Sequence, residues 1–159
     1  MLPKKIDTVV VGAGQAGIAM SEHLRNSHIL HLVLERSRIA ERWRSERWDS
    51  LVTNGPAWHD RFPNMEFPDF DPNGFPTAEQ VADYFVAYAD MINAPIHCGV
   101  EVLEVKRNDG RPGFRVETSD GVIEANNVVA ATGPFQCSLI PDLVPKAEPI
   151  TQIHSKDYY

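Results

Sequence analysis

Four consecutive strand formers at residues 8–11, Thr-Val-Val-Val, run straight into a glycine. An unbroken apolar run this short fits a strand buried on both faces, as in a parallel sheet. Residues 18–24 have helical composition and end near Asn26. Residues 29–34 are apolar again, with Val and Leu. A strand, a glycine-rich turn, a helix and a second strand within about 30 residues predict a βαβ unit.

Residues 37–75 follow no regular period. They hold Trp43, Trp48 and Trp58 and many prolines. So long an irregular stretch in a compact domain is usually functional. Short helices and loops packed over something are expected there. The clearest helix spans residues 77–93. Thr77 and Gln80 have capping-box spacing. Val81, Tyr84, Phe85 and Tyr88 then fall at i, i+3, i+4 and i+7, one apolar stripe for the core, and Pro95 ends the pattern. Residues 99–105, 114–118 and 122–125 read as three strands of a small antiparallel meander. Asp109-Gly110 and Asp120-Gly121 supply the turn signals between them. Residues 128–131 read as another buried strand, leading into Thr132-Gly133-Pro134. The chain beyond is loop-like, with four prolines between Pro134 and Pro149.

Composition narrows the class. The 159 residues are one domain's worth, with 43% hydrophobic and 23% charged positions, ordinary for a soluble globular protein. The net charge of -7 argues against a nucleic-acid footprint and against a polybasic membrane contact. Cys98 and Cys137 lie far apart without a CxxC partner, which predicts reduced, buried thiols in place of a disulfide framework or zinc site. Lys4 and Lys5 precede an apolar run over residues 6–20, but Gly12, Gly14 and Gly17 break it and Asp7 and Gln15 lie within it. That is not a signal-peptide core, and no stretch is long enough to span a bilayer. The chain reads as cytoplasmic.

Gly12-Ala13-Gly14-Gln15-Ala16-Gly17 is G-x-G-x-x-G, placed after a strand and opening a helix. The first glycine makes the tight turn. The second lets backbone approach a pyrophosphate. The third lets helix and strand pack closely. The helix N-terminus then offers free N–H groups and a positive dipole end to the phosphates. Glu35 ends the second strand, 18 residues after Gly17. A carboxylate there hydrogen-bonds ribose hydroxyls and repels a 2′-phosphate, so NAD or FAD is preferred over NADP. A plain NAD domain continues with another helix and parallel strand, whereas this chain enters the Trp-rich stretch and the meander.

At these residues the chain resembles the flavin-containing monooxygenases and their bacterial relatives, the class B flavoprotein monooxygenases. The likeness rests on Gly12 to Gly17, Glu35, Glu41-Arg42-Trp43, Leu51-Val52-Thr53-Asn54, Phe67-Pro68-Asp69-Phe70, and Asn127-Val128-Val129-Ala130-Ala131-Thr132-Gly133. It implies an α/β, Rossmann-like FAD-binding three-layer fold with a small antiparallel β-meander, as part of an incomplete protein of two dinucleotide-binding domains. It implies an FAD-binding domain over residues 1–145 and the start of a linker to an absent NADPH-binding domain over residues 146–159. Gly12, Gly14, Gln15, Ala16 and Gly17 would hold the pyrophosphate and Glu35 the ribose. Arg36 would sit near the adenosine, and Arg42 and Trp43 against the flavin or pyrophosphate. The Val102 backbone would contact adenine. Ala131, Thr132 and Gly133 would form the strand end where the chain leaves the domain. Asn54 matches the active-site asparagine beside the flavin ring. An amide there can donate and accept hydrogen bonds without supplying a stray proton, and a turn residue before Gly55-Pro56 is the plainer alternative.

The family fingerprint F-x-G-x-x-x-H-x-x-x-F/Y is half met. His154 and Tyr158 fit, while Glu148 and Ile150 stand where Phe and Gly are expected. A second G-x-G-x-x-G for NADPH does not occur in the sequence. The expectation is therefore the FAD-binding part of an NADPH-dependent monooxygenase. Such an enzyme inserts one atom of O2 into a small organic substrate at nitrogen, sulfur or a ketone. The chain alone is expected to be inactive, and truncation, a split protein and a self-standing module all stay open. The alternative is a non-catalytic FAD module that pairs with a partner chain, as a homo-oligomer or with a missing C-terminal domain. A simple NAD-dependent dehydrogenase is the third reading. No metal ligation is expected.

Overall fold

A computed structural model describes residues 2–133, 138–142 and 150–158. Its elements are β1 (Lys5–Val11), α1 (Gln15–Asn26), β2 (His31–Glu35), α2 (Glu41–Ser45), α3 (Ala78–Met91), β3 (Ile96–Cys98), β4 (Val102–Arg107), β5 (Phe114–Thr118) and β6 (Gly121–Ala130), with a short 3-10 turn at Ser155–Asp157. One sheet of six strands runs in the order β3-β2-β1-β6-β5-β4. β1 is parallel to β2 and to β6, and β2 is parallel to β3. β4, β5 and β6 pair antiparallel.

The predicted βαβ unit is present, with Val9, Val10 and Val33 fully buried. Its second strand starts at His31, later than the apolar pattern suggests, and Ile29 and Leu30 are exposed. The long helix α3 carries the predicted capping box, with the Thr77 hydroxyl and the Gln80 amide each accepting from the other's backbone N–H. Its stripe of Val81, Tyr84, Phe85 and Tyr88 is buried. These residues build the core beneath the irregular segment, where Phe62 and Phe67 stack on Tyr88 and Tyr84 at ring separations of 4.4 and 4.0 Å.

Three expectations are corrected. The strands read at 122–125 and 128–131 are one strand, β6. Its first half pairs with β5 and its second with β1. The polar Asn126 and Asn127 that split the apolar pattern both donate to the Asp7 carboxylate on β1, so their amides are satisfied within the sheet. Those donors hold the Asp7 carboxyl below the usual carboxylate range. Secondly, β3 was not foreseen, because three residues after Pro95 with a histidine in the middle carry no readable period. Thirdly, Cys98 is exposed, at the end of that edge strand. Cys137 lies outside the described residues.

The sheet curls to make the third layer. Val100 N–H donates to the Glu35 carbonyl at 3.0 Å, and one residue on, the Glu101 carbonyl accepts from Ser119 N–H at 2.9 Å. Two strands separate β2 from β5 in the sheet, so this contact requires the meander to fold back over the parallel half. Val116, Ile123 and Ala125 of the meander accordingly pack in one cluster with Val9, Leu32 and Leu34. The opposite face, with Val10 and Val33, is covered by Met20 and Leu24 of α1. Among the described residues no helix is long and apolar enough to cross a membrane.

Candidate functional site

The glycine turn is held by contacts that only glycine permits. Gly12 has φ +105°, and a Cβ there would lie 2.6 Å from the Ala131 carbonyl oxygen. A Cβ on Gly17 would overlap the Gly12 carbonyl oxygen. Gly12 N–H donates to Leu34 O and Ala131 N–H to Val11 O, so the turn is pinned between the ends of β2 and β6. Gly14 is the N-cap of α1. It is extended, no side chain caps the helix, and no acidic residue sits in its first turn. A Cβ on Gly14 would meet nothing within 4 Å. The positive end of a three-turn helix therefore opens onto empty space.

Glu35 lies beside the glycine loop. Its Oε2 accepts from Ala13 N–H and its Oε1 from Ser37 N–H, each at 2.9 Å. An ionised carboxylate has about four acceptor sites, so both oxygens keep capacity for hydroxyl donors. Ala40 adopts the left-handed region (φ 58°) and its N–H donates to Ala13 O. This turns the chain so that α2 lies against the glycine loop. Arg38 forms a two-pronged pair with Glu41, and its hydrogen bond draws the Glu41 carboxyl down to about 2. Trp43 sits edge-on to Phe85 at 6.3 Å, and the Arg47 guanidinium lies 5.4 Å from its ring centroid. Arg42 pairs with Glu46 at 3.5 Å.

These walls enclose a cavity of about 1020 Å³. Gly12, Gly14, Gln15, Ala16, Glu35 and Arg36 line it. Arg42 and Trp43 of α2 also line it, as do Val102, Ala131, Thr132 and Gly133. Gly17 is buried beneath the turn and acts through packing. Asn54 is exposed and does not line the cavity. It follows the Val52–Thr77 bridge, where Thr53 Oγ1 donates to Gly55 O and Gly55 N–H to Asp60.

Sequence reasoning missed Ser37, Ala40, Glu41, Arg47, Phe62, Val100 and Glu101, all in the lining. Glu41 and Arg47 flank the Trp43 segment and were within reach of a helical reading. Phe62, Val100 and Glu101 carried no local signal, because tertiary contacts bring them in. Phe62 is held by Tyr84, whose hydroxyl accepts from Phe62 N–H at 2.7 Å and donates to Met65 O at 2.8 Å. Burial pushes that phenol up from its ordinary value.

Sheet order, glycine turn and cavity together define a Rossmann-like fold of the dinucleotide-binding class. Residues 9–158 match the family described as pyridine nucleotide-disulphide oxidoreductase. An uncharacterised CzcO-like oxidoreductase of Geobacillus kaustophilus is 39% identical over 96% of this chain and 43% of its own length. A probable indole-3-pyruvate monooxygenase of Arabidopsis thaliana, YUCCA9, is 29% identical over 85% of this chain and 33% of its own. The solved flavin-containing monooxygenase of Stenotrophomonas maltophilia superposes with a TM-score of 0.76 at 26% identity, covering 88% of this chain and 42% of that one. The chain belongs to the pyridine nucleotide-disulphide oxidoreductase family and is akin within it to the flavin-containing monooxygenases. It spans less than half the length of these relatives.

Proposed function

We propose that the chain binds FAD as the flavin-binding part of an NADPH-dependent monooxygenase acting on a small organic substrate with O2. The observation that carries this reading is the uncapped N-terminus of α1 opening on a cavity also lined by Glu35, whose carboxylate lies beside the glycine loop. The donor set fits the group. Free helix N–H groups and an open Gly14 suit a pyrophosphate, and a half-buried carboxylate suits a ribose diol and repels a 2′-phosphate. Gly14, Gln15 and Ala16 would hold the phosphates. Glu35 would hold the adenosine ribose, with Arg36 and the Val102 backbone beside the adenine. Trp43 and Arg42 would bear on the flavin side, where Phe62 adds an apolar surface. Bound FAD would supply the redox chemistry, while this chain's residues bind it, orient it and exclude water.

Asn54 is proposed as the active-site amide by the resemblance alone. Asn54 is exposed and outside the cavity lining. NADPH would bind elsewhere in the complete enzyme, because Glu35 opposes a 2′-phosphate in this cavity. Residues 1–145 are proposed as the FAD domain with a linker following, and a cytoplasmic location is proposed with them. The test is reconstitution. The chain titrated with FAD should turn yellow after desalting and change flavin fluorescence, and NADPH alone should not drive turnover. Tight NAD binding with no flavin retention would sink the FAD reading.

A further inference from the structure

The outer edge of the meander carries a second feature, independent of the cavity. β4 ends the sheet, so among the described residues its outward N–H and C=O groups have no partner strand. An open edge of this kind is a template for another strand. The register shift between Val102 and Glu104 restricts the regular part of β4 to residues 104–107. Val105 pairs with the fully buried Val116, so it sits on the core side of the sheet, yet it is 40% exposed at the rim. Glu104 and Lys106 project to the other face, where they form an exposed ion pair at 2.7 Å.

We propose that this edge pairs with β4 of a second copy of the chain, antiparallel, about a two-fold axis through Val105. The register follows from charge. Directly opposed residues in an antiparallel pair must be of the same hydrogen-bonding type, which restricts the axis to a residue. An axis through Glu104 or Lys106 sets that charge against its own copy. The axis through Val105 sets each Glu104 opposite the other copy's Lys106 and joins the two Val105 side chains over the open rim of the core. Opposite charges across strands stabilise and like charges destabilise, so one register is selected, and an isologous dimer closes on itself. Edges of this length bury less than about 1,200 Å², the class of transient complexes.

Sedimentation velocity on the 159-residue chain tests this, over a concentration series at low and high salt. The expected result is a reversible monomer–dimer equilibrium that weakens with salt. Glu104→Lys and Lys106→Glu alone should each weaken self-association by about tenfold or more. Mixing these two variants should restore it, as should the double charge swap in one chain. Circular dichroism should show every variant folded, since both side chains are exposed. A wild-type chain that stays monomeric throughout overturns the proposal. So does a dimer indifferent to single reversals, or a mixture that fails to recover.

Discussion

Replacing Glu35 by Gln separates bracing from binding in the cavity. The variant keeps the shape of the side chain but has one oxygen where the carboxylate has two. In the native chain Oε2 serves Ala13 N–H and Oε1 serves Ser37 N–H, both at 2.9 Å. After substitution one of these donors faces an amide NH2 and loses its acceptor. A hydrogen bond to a charged group is worth about 1.5–3 kcal/mol, and partial exposure of Glu35 lowers the loss to about 1–2 kcal/mol. For a chain of this size that lowers Tm by about 2–8 °C. The Ala13 contact also braces the glycine turn, and the lost carboxylate oxygen is one of the two proposed to accept from the ribose. FAD affinity should therefore fall by about tenfold, near 1.4 kcal/mol. Thermal denaturation of the apo chain reads the first effect and flavin-fluorescence titration the second. A variant that melts and binds FAD like the wild type refutes the geometry. A lower Tm with unchanged FAD affinity removes Glu35 from ribose recognition and leaves it as a brace.

Three further outcomes are expected. Gly17→Ala drives a methyl into the Gly12 carbonyl, which should destabilise the apo chain by about 1–3 kcal/mol and abolish FAD retention on a desalting column; retention of bound flavin would contradict the packing role. Tyr84→Phe strands the Phe62 N–H in the core, at a cost of about 1–3 kcal/mol readable in urea, and an unchanged midpoint would count against it. For Glu41, the folded value near 2 lies below the ordinary 4.5, so its pairing with Arg38 contributes stability fully above pH 4.5 and loses it as pH falls towards 2. Arg38 is 69% exposed, so solvent screening keeps the contribution small. The stability gap between wild type and Glu41→Gln should close on acidification, and a gap that widens would reverse the assignment.

Local pattern alone determined the βαβ unit, α3 with its capping box and the glycine turn, and it showed that a meander follows without its strand limits, because each is written in neighbours a few residues apart. A run of valines, a Thr/Gln pair and an Asp-Gly turn act at short range, and the structure keeps them. The glycines and Glu35 were legible as a joint motif, and the structure brings them together through the bond from Ala13 N–H to Glu35. What only the tertiary structure decided is the curl of the sheet. Asn126 and Asn127 read as a break between strands until Asp7, over a hundred residues away, accepts from both. β6 is continuous through its backbone pairing with β5 and then β1, and the two amides are satisfied within it. The fold-back of the meander then brings Val100, Glu101 and Val102 to the end of β2. The cavity wall they form has no signature in sequence, since its energy comes from burying two apolar faces against each other, and burial depends on which segments meet.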